Sequence, residues 1–160
     1  MMMGKVILSM REFQKENNIT ERCVANSKYL YDTFRTYTDQ LDIFVRAMIV
    51  VSNNYETGVI HFIGGHLVVM CSGEFLDASH DVNSLPNKIY YNSYHDIMSN
   101  LNEQYKTLMD KKLQKEILYQ HLQFINLANN INAGTKFIDD DYLTYYNCQD
   151  SFVKMKLNNK

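Results

Sequence analysis

The feature that most constrains this chain is the stretch 58–71, in which two runs of β-branched and aromatic residues flank the pair Gly64–Gly65. Both glycines can adopt the positive φ that a tight turn between antiparallel strands requires. The stretch therefore predicts a β-hairpin with one strand at 58–63, a two-residue turn, and a second strand at 66–71.

The two faces of the predicted hairpin differ. Side chains alternate along a strand, so one face is wholly apolar and is expected to be core. The other face carries His61 and His66 with Ile63, Val68 and Met70. Paired imidazoles can bind a metal or transfer protons, so a small histidine- or metal-dependent hydrolase is one functional alternative. Histidines on a solvated strand face are the simpler interpretation, and neither a metal site nor a catalytic residue is assigned.

An isolated hairpin is not stable, and a third strand is expected nearby. Residues 41–51 form an apolar run rich in β-branched residues, which fits either a buried strand or the end of a long helix. We favour the strand. Residues 152–157 alternate apolar residues with lysines, a pattern typical of an edge strand, and could join the same sheet.

Apolar residues at alternate spacings of three and four predict helices at 20–38 and 93–133. The second range is long for one helix, and a break or bend is expected near Asp110. Residues 5–18 are interpreted as a short apolar run that ends in a loop. Together with the hairpin, these segments predict an α+β fold, a small antiparallel β-meander packed by amphipathic helices.

The 160 residues are predicted to form a single globular domain. A formal net charge of −2 provides no basic footprint for generic nucleic-acid binding. No window is long and apolar enough to predict a membrane span. The three cysteines show no CxxC spacing, which favours reduced thiols and a cytoplasmic location. No cofactor motif is present, and no cofactor is predicted.

The sequence contains one candidate for a cysteine nucleophile. Cys71 lies just past the second strand, where His80 or His95 could serve as a base. No local signature accompanies it, and cysteine is among the most buried residue types. Cys71 is therefore interpreted as a core residue, and whether the chain is an enzyme stays open, with the balance against it.

Clustered tyrosines are the strongest functional signal in the sequence, because tyrosine is enriched in interfaces. The candidate interface residues are His61, His66, Tyr90, Tyr91, Tyr94, Tyr142, Tyr145 and Tyr146. They predict a non-catalytic regulatory or inhibitory protein that binds another macromolecule, with a protein as the partner. The abundance of Asn, Lys, Ile and Tyr codons suggests a virus, a phage or a low-GC bacterium as the source. A small-ligand sponge is a further alternative.

Self-association is also predicted. The hairpin face that bears Ile63, Val68 and Met70 lacks an obvious partner within the chain if the helices cover the other face. A two-fold contact is the commonest way to cover such a surface, so a homodimer is expected.

The segment 149–153, Gln-Asp-Ser-Phe-Val, resembles the Asp-x-Phe-Val stretch of the Bcl family of apoptosis regulators, which viruses also encode. The resemblance covers only these residues, and the companion Asn-Trp-Gly-Arg motif of that family is missing. It implies an all-helical bundle and a role in regulating apoptosis, as a minor alternative.

Overall fold

The computed structural model describes residues 2–35, 42–53, 60–100 and 110–134. These residues form helices α1 (Met2–Glu16), α2 (Cys23–Phe34), α3 (His80–Asn83), α4 (Tyr94–Asn100) and α5 (Lys111–Asn132), and strands β1 (Ile43–Asn53), β2 (Ile60–Cys71), β3 (Glu74–Leu76) and β4 (Lys88–Tyr91). The predicted α+β class is confirmed. The sheet rules out the all-helical bundle implied by the Bcl resemblance, and segment 149–153 lies outside the described residues, as does the predicted strand 152–157.

The four strands form one antiparallel sheet in the order β3-β2-β1-β4. The favoured strand interpretation of 41–51 is correct, because β1 covers most of that range. β1 and β2 are the two central strands, and their ladder places Met48 opposite His66 and Ala47 opposite Leu67. Their β-branched residues suit a strand buried between neighbours.

The predicted turn at Gly64–Gly65 is wrong, because β2 passes straight through both glycines and pairs them with Val50 and Ile49. Their role is close packing. A Cβ added to Gly65 would lie 2.5 Å from Cδ2 of Phe124 in α5, so only glycine lets the helix approach this near. The strand does not reverse at the glycines. Taking the residues after the pair as the reference, the residues before it therefore lie on the opposite sheet face from the one predicted for them.

The tight turn in this region lies further along, at Ser72–Gly73. Both residues have positive φ, 52° and 87°, as a two-residue hairpin loop with primed geometry requires. The turn joins β2 to β3, and the chain then continues directly into Asp77. This connection determines where the Asp77 carboxylate lies relative to β2.

The helix predictions are partly confirmed. α2 lies within the predicted range 20–38, and α4 and α5 lie within 93–133. α5 begins at Lys111 because the Asp110 carboxylate caps it, accepting a hydrogen bond from the Leu113 N–H at 2.7 Å. The interpretation of residues 5–18 as a short run and a loop is wrong for residues 5–16, which belong to α1, and only Asn17 and Asn18 form a turn. The helix buries the helically spaced Met3, Val6, Ile7 and Met10.

The hairpin face that was expected to lack a partner does not exist as predicted, because Ile63 packs in a different cluster from Val68 and Met70. Val68 and Met70 are buried against Met48, with Phe44 and Tyr90 packed beside them. The structural ground for the homodimer therefore does not hold, although the dimer itself stays a prediction. None of the described helices combines the length and apolar character needed to cross a membrane.

Candidate active site

Three side chains that are far apart in sequence meet beside the central strands. Cys23 is the first residue of α2, His66 lies in the middle of β2, and Asp77 directly follows β3. Nε2 of His66 lies 2.9 Å from Oδ2 of Asp77, and both side chains are almost fully buried. The imidazole also interacts with the Cys23 thiol. Nε2 is engaged by Asp77, so Nδ1 is the ring nitrogen that is available to another group.

Cys23 occupies a position where a helix favours negative charge. It opens α2, and the preceding Arg22 makes no side-chain capping hydrogen bond. The first backbone N–H groups of a helix have no intrahelical acceptor, and together with the macrodipole they form a partial positive charge. Negative charge that develops on a group at this position is therefore stabilised by the helix start.

The segment that leads into α2 is held in an uncommon conformation. Glu21 has a φ of 59°, in the left-handed region that residues other than glycine rarely adopt. Its N–H donates to Oδ2 of Asp81 at 3.1 Å, which fixes the turn against α3. Backbone strain of this kind is concentrated at functional sites.

All three oxygen atoms of Asp77 accept hydrogen bonds. Oδ1 accepts from the Ser79 N–H at 2.9 Å, and Oδ2 accepts from the Tyr90 hydroxyl at 2.6 Å as well as from His66. The Asp77 carbonyl oxygen accepts from Arg11 through Nε, at 2.7 Å, and through Nη2. The carboxylate is therefore fixed in position and orientation by β2, β4 and the loop after β3, and α1 fixes the Asp77 backbone beside it.

A second layer of buried hydrogen bonds joins α1, α2 and the loop after Asp77. The Asn26 side-chain amide, one turn after the start of α2, donates to Ser79 Oγ at 2.9 Å. Gln14 of α1 donates to the Ala78 carbonyl at 2.8 Å and accepts from Asn26 at 3.2 Å. These contacts hold the start of α2 and the Asp77 loop at a fixed separation.

The electrostatics of the cluster favour charged His66 and Asp77. Burial alone lowers the pKa of His66, but the hydrogen bond and charge of Asp77, with contributions from Cys23, outweigh it and raise the pKa to about 10. Burial opposes the Asp77 carboxylate too, yet the hydrogen bond and charge of His66 keep its pKa below the usual value. Burial and the Asp77 charge raise the pKa of Tyr90. At neutral pH the cluster holds an imidazolium, a carboxylate and a protonated phenol.

A cavity of about 400 Å³ opens onto Cys23 and His66. Most of its wall is apolar and comes from Val24, Phe62, Val82, Leu85 and Phe124. Two carboxylate residues, Glu21 and Asp81, also line it, whereas no lysine or arginine occurs among the described lining residues. A substrate-sized space thus lies next to the thiol and the imidazole.

The sequence-predicted site residues have different locations. Of the two histidines, His66 belongs to the cluster, whereas the side chain of His61 lies outside what the structure describes. Tyr90 contacts Asp77. Tyr91 and Tyr94 are buried in an apolar core cluster, so they are unavailable as exposed rim residues. Three further candidates lie outside the described residues: Tyr142, Tyr145 and Tyr146.

The cysteine weighed from the sequence, Cys71, is buried in the main core and does not meet His80 or His95. Within the described ranges no group of three or more His, Cys, Asp or Glu residues has an arrangement suited to a metal ion.

Sequence reasoning missed Cys23 and Asp77. A single cysteine at a helix start can form a catalytic pair with a histidine that is distant in sequence but adjacent in the fold. This pattern was the only available signal for Cys23. Asp77 lies eleven residues after His66 in the sequence. The chain reversal at Ser72–Gly73 brings the two side chains together, and this turn is recognised only once the strands are known. Comparisons of the chain with protein-family models, curated proteins and solved structures find no match.

Proposed function

We propose that this protein is a cysteine-dependent acyl-transfer enzyme that cleaves an amide, ester or thioester bond. The observation that carries the proposal is the linked series Cys23, His66 and Asp77, which opens onto the cavity at the start of α2. A nucleophile, a base within reach of it and a third group that orients the base are the parts that such catalysis requires.

In the first half of the reaction, the Cys23 sulfur, whose proton His66 has taken, attacks the carbonyl carbon of the substrate, and the carbonyl electron pair moves onto oxygen. As this intermediate collapses, the bond to the leaving group breaks. The leaving group takes a proton from Nδ1 of His66, which becomes neutral. The products are a thioester on Cys23 and a free amine, alcohol or thiol.

In the second half, water or an amine attacks the thioester while neutral His66 takes its proton. Cys23 leaves as a thiolate, and His66 is again an imidazolium, so the site returns to its starting state. Asp77 remains a carboxylate throughout and keeps the imidazole in the orientation that presents Nδ1 to the sulfur.

The charge that develops on the carbonyl oxygen needs hydrogen-bond donors. The N–H groups of the first turn of α2, beginning with Cys23 and Val24, are candidate donors because they belong to the same helix start as the sulfur and lack intrahelical acceptors. Donors of this kind are effective because they are already oriented before the reaction begins.

Stability alone does not account for the buried His66–Asp77 pair. Replacing a buried ion pair by apolar residues is often neutral or stabilising, because two charges must lose their hydration. The chain buries this pair beside a thiol and a cavity, where a proton-transfer group has a use. This combination favours catalysis over a purely structural role.

The cavity suggests the character of the substrate. Its apolar wall suits an uncharged acyl group, and Glu21 with Asp81 favours a neutral or cationic molecule over an anionic one. An amine is thus a suitable leaving group or acceptor.

The test begins with alkylation by iodoacetamide at pH 6, followed by mass spectrometry of the intact and digested protein. We expect Cys23 to react much faster than Cys71, which is 5% exposed. Turnover of p-nitrophenyl acetate should be lost in Cys23→Ser and retained in the matched variant Cys71→Ser. Equal turnover in the wild type and Cys23→Ser would show that the proposal is wrong.

A second candidate function is the one that the sequence predicted, a regulatory protein of viral, phage or low-GC bacterial origin that binds another macromolecule. The exposed apolar residues Leu118, Tyr119 and Leu122 on α5 support it. Binding of a partner that survives Cys23→Ser and is lost in Leu122→Asp would favour this candidate.

A further inference from the structure

One oxygen of the Asp77 carboxylate, Oδ2, is shared unequally between two donors. It accepts from Nε2 of His66 at 2.9 Å and from the Tyr90 hydroxyl at 2.6 Å. We infer that Tyr90 is a positioning residue of the site: its hydroxyl fixes the carboxylate and limits how strongly Asp77 holds the His66 proton. The inference rests on the proposed function, in which His66 must release and recover that proton.

The Tyr90 ring is held independently of its hydroxyl. Tyr90 lies in β4, whose ladder with β1 pairs it with Val50. Its ring packs on Phe75 of β3 with centroids 4.7 Å apart and lies 6.1 Å from the His66 ring. Both edge strands of the sheet therefore help to aim the hydroxyl at Oδ2.

The hydroxyl is a permanent donor in this setting. Burial and the Asp77 charge raise the pKa of Tyr90, so the phenol keeps its proton at any pH at which the protein would work. A carboxylate that accepts two hydrogen bonds at one oxygen is a weaker base than a carboxylate that accepts one. Tyr90 thereby lowers the affinity of the Asp77–His66 pair for the His66 proton and favours its transfer to the leaving group.

Other charged or titratable groups also act on this pair, each from a different element. Arg11 of α1 binds the Asp77 carbonyl, Cys23 of α2 interacts with the imidazole, and the charge of Asp81 of α3 acts on Tyr90. None of these three touches Oδ2, so replacement of the Tyr90 hydroxyl isolates the shared hydrogen bond.

The test uses Tyr90→Phe in the full chain, with Tyr91→Phe as the matched control. Tyr91 is the next residue of the same strand and faces the core cluster of Ile49 and Val51, so its variant loses a hydroxyl away from the site. The His66 ring nitrogens are titrated by NMR, and the pH profile of p-nitrophenyl acetate turnover is recorded for both variants.

For Tyr90→Phe we expect the His66 titration to move upward by roughly one pH unit, the size expected for loss of one hydrogen bond to a charged group. Turnover at neutral pH should fall about tenfold through kcat, with KM little changed, because the proton is released less readily. The control should leave both titration and profile in place. A uniform loss of turnover with no shift would indicate a merely structural role and overturn the inference.

A second variant is expected to shift the His66 titration in the opposite direction, and its result does not depend on how well Tyr90→Phe folds. Site-specific 3,5-difluorotyrosine at position 90 keeps the ring and makes the hydroxyl a stronger donor, so the His66 titration should move downward. An unchanged or upward titration would contradict the inference. Because NMR titration needs no turnover, both expected shifts in a protein without Cys23-dependent turnover would support the Tyr90 coupling and refute the proposed function alone.

Discussion

His66 and Leu67 are neighbours in β2, yet the surroundings of the His66 side chain are polar and those of the Leu67 side chain are apolar. Leu67 packs in the main core with Val45, Ala47 and Val69, and it is 1% exposed. His66 is 2% exposed, but it contacts a carboxylate, a tyrosine ring and a thiol. The two side chains are thus almost equally buried, but they have different roles. The Leu67 side stabilises the fold, and the His66 side holds charges that the fold alone does not need.

The largest effect that separates the two regions is expected from Asp77→Asn. The amide keeps the shape of the side chain and removes the charge that orients the imidazolium, so turnover should fall on the order of 10³- to 10⁴-fold. Steady-state kinetics with p-nitrophenyl acetate measures the loss. Retention of more than a tenth of wild-type turnover would contradict a catalytic role for the pair.

Leu67→Ala should affect the other region. It removes most of a fully buried side chain and should lower the free energy of unfolding by about 2–5 kcal/mol, as read from urea denaturation. The matched control is Leu122→Ala, at a leucine that is 55% exposed, for which a change within about 0.5 kcal/mol is expected. Below its unfolding transition, Leu67→Ala should still alkylate at Cys23 first, and loss of that preference would show that the two regions are not separable.

A smaller effect is expected from Gly65→Ala, directly before His66. The added methyl would meet Phe124 at 2.5 Å and must displace the aromatic ring, at a cost of about 1–3 kcal/mol of unfolding free energy. Gly4→Ala in α1 is the opposite control. Its methyl meets nothing within 4 Å, and the change should stabilise the protein by up to about 1 kcal/mol. Thermal unfolding of both variants decides whether packing or backbone freedom dominates at position 65.

The pH dependence of stability should also distinguish the two regions. The folded-state pKa of His66 is raised above its ordinary value of 6.5 to about 10. Its contribution to stability is therefore fully present below pH 6.5 and is lost as the pH rises towards 10. Asp77 has a lowered pKa, so its contribution is lost as the pH falls below its ordinary 3.8. Unfolding midpoints between pH 6.5 and 10 should decline in the wild type and decline less in Asp77→Asn, whereas equal slopes would argue against the pairing.

The smallest expected effect concerns the carboxylates at the cavity. Cys23 should react a few-fold faster with a trimethylammonium methanethiosulfonate than with the sulfonate analogue, once each rate is divided by that of free cysteine. The double variant Glu21→Gln, Asp81→Asn should remove this preference. A preference for the anionic reagent in the wild type would instead point to an anionic substrate.

The segments that could be predicted from sequence are those with locally complete patterns. The β-branched run of β1, the apolar spacing of α2 and the break near Asp110 need no information from elsewhere in the chain. Gly64–Gly65 differs, because a glycine pair fits both a turn and close packing. The deciding contact is Phe124 on a helix far along the chain, so the sequence near the pair could not show which applies.

The site followed the same rule. His66 could be singled out because it lies in a distinctive apolar strand, although the expected companion was His61. Cys23 and Asp77 could not be linked to it, because the sheet register, the Ser72–Gly73 turn and the docking of α2 jointly determine their separation. Tyr90 is predicted as an interface residue because it belongs to a tyrosine cluster, whereas its hydroxyl donates to the buried Asp77 carboxylate.

The contacts of α1 have a consequence for local stability. Arg11 and Gln14 reach from α1 to the carbonyl groups of Asp77 and Ala78, so the site keeps its geometry only while this helix is docked. α1 is not part of the sheet, and a partial opening that releases it would leave the strand ladders intact. Native-state hydrogen exchange should therefore find α1 amides opening below the global unfolding free energy. The proposed Cys23-dependent turnover should be lost when α1 opens, at denaturant concentrations where the sheet amides are still protected.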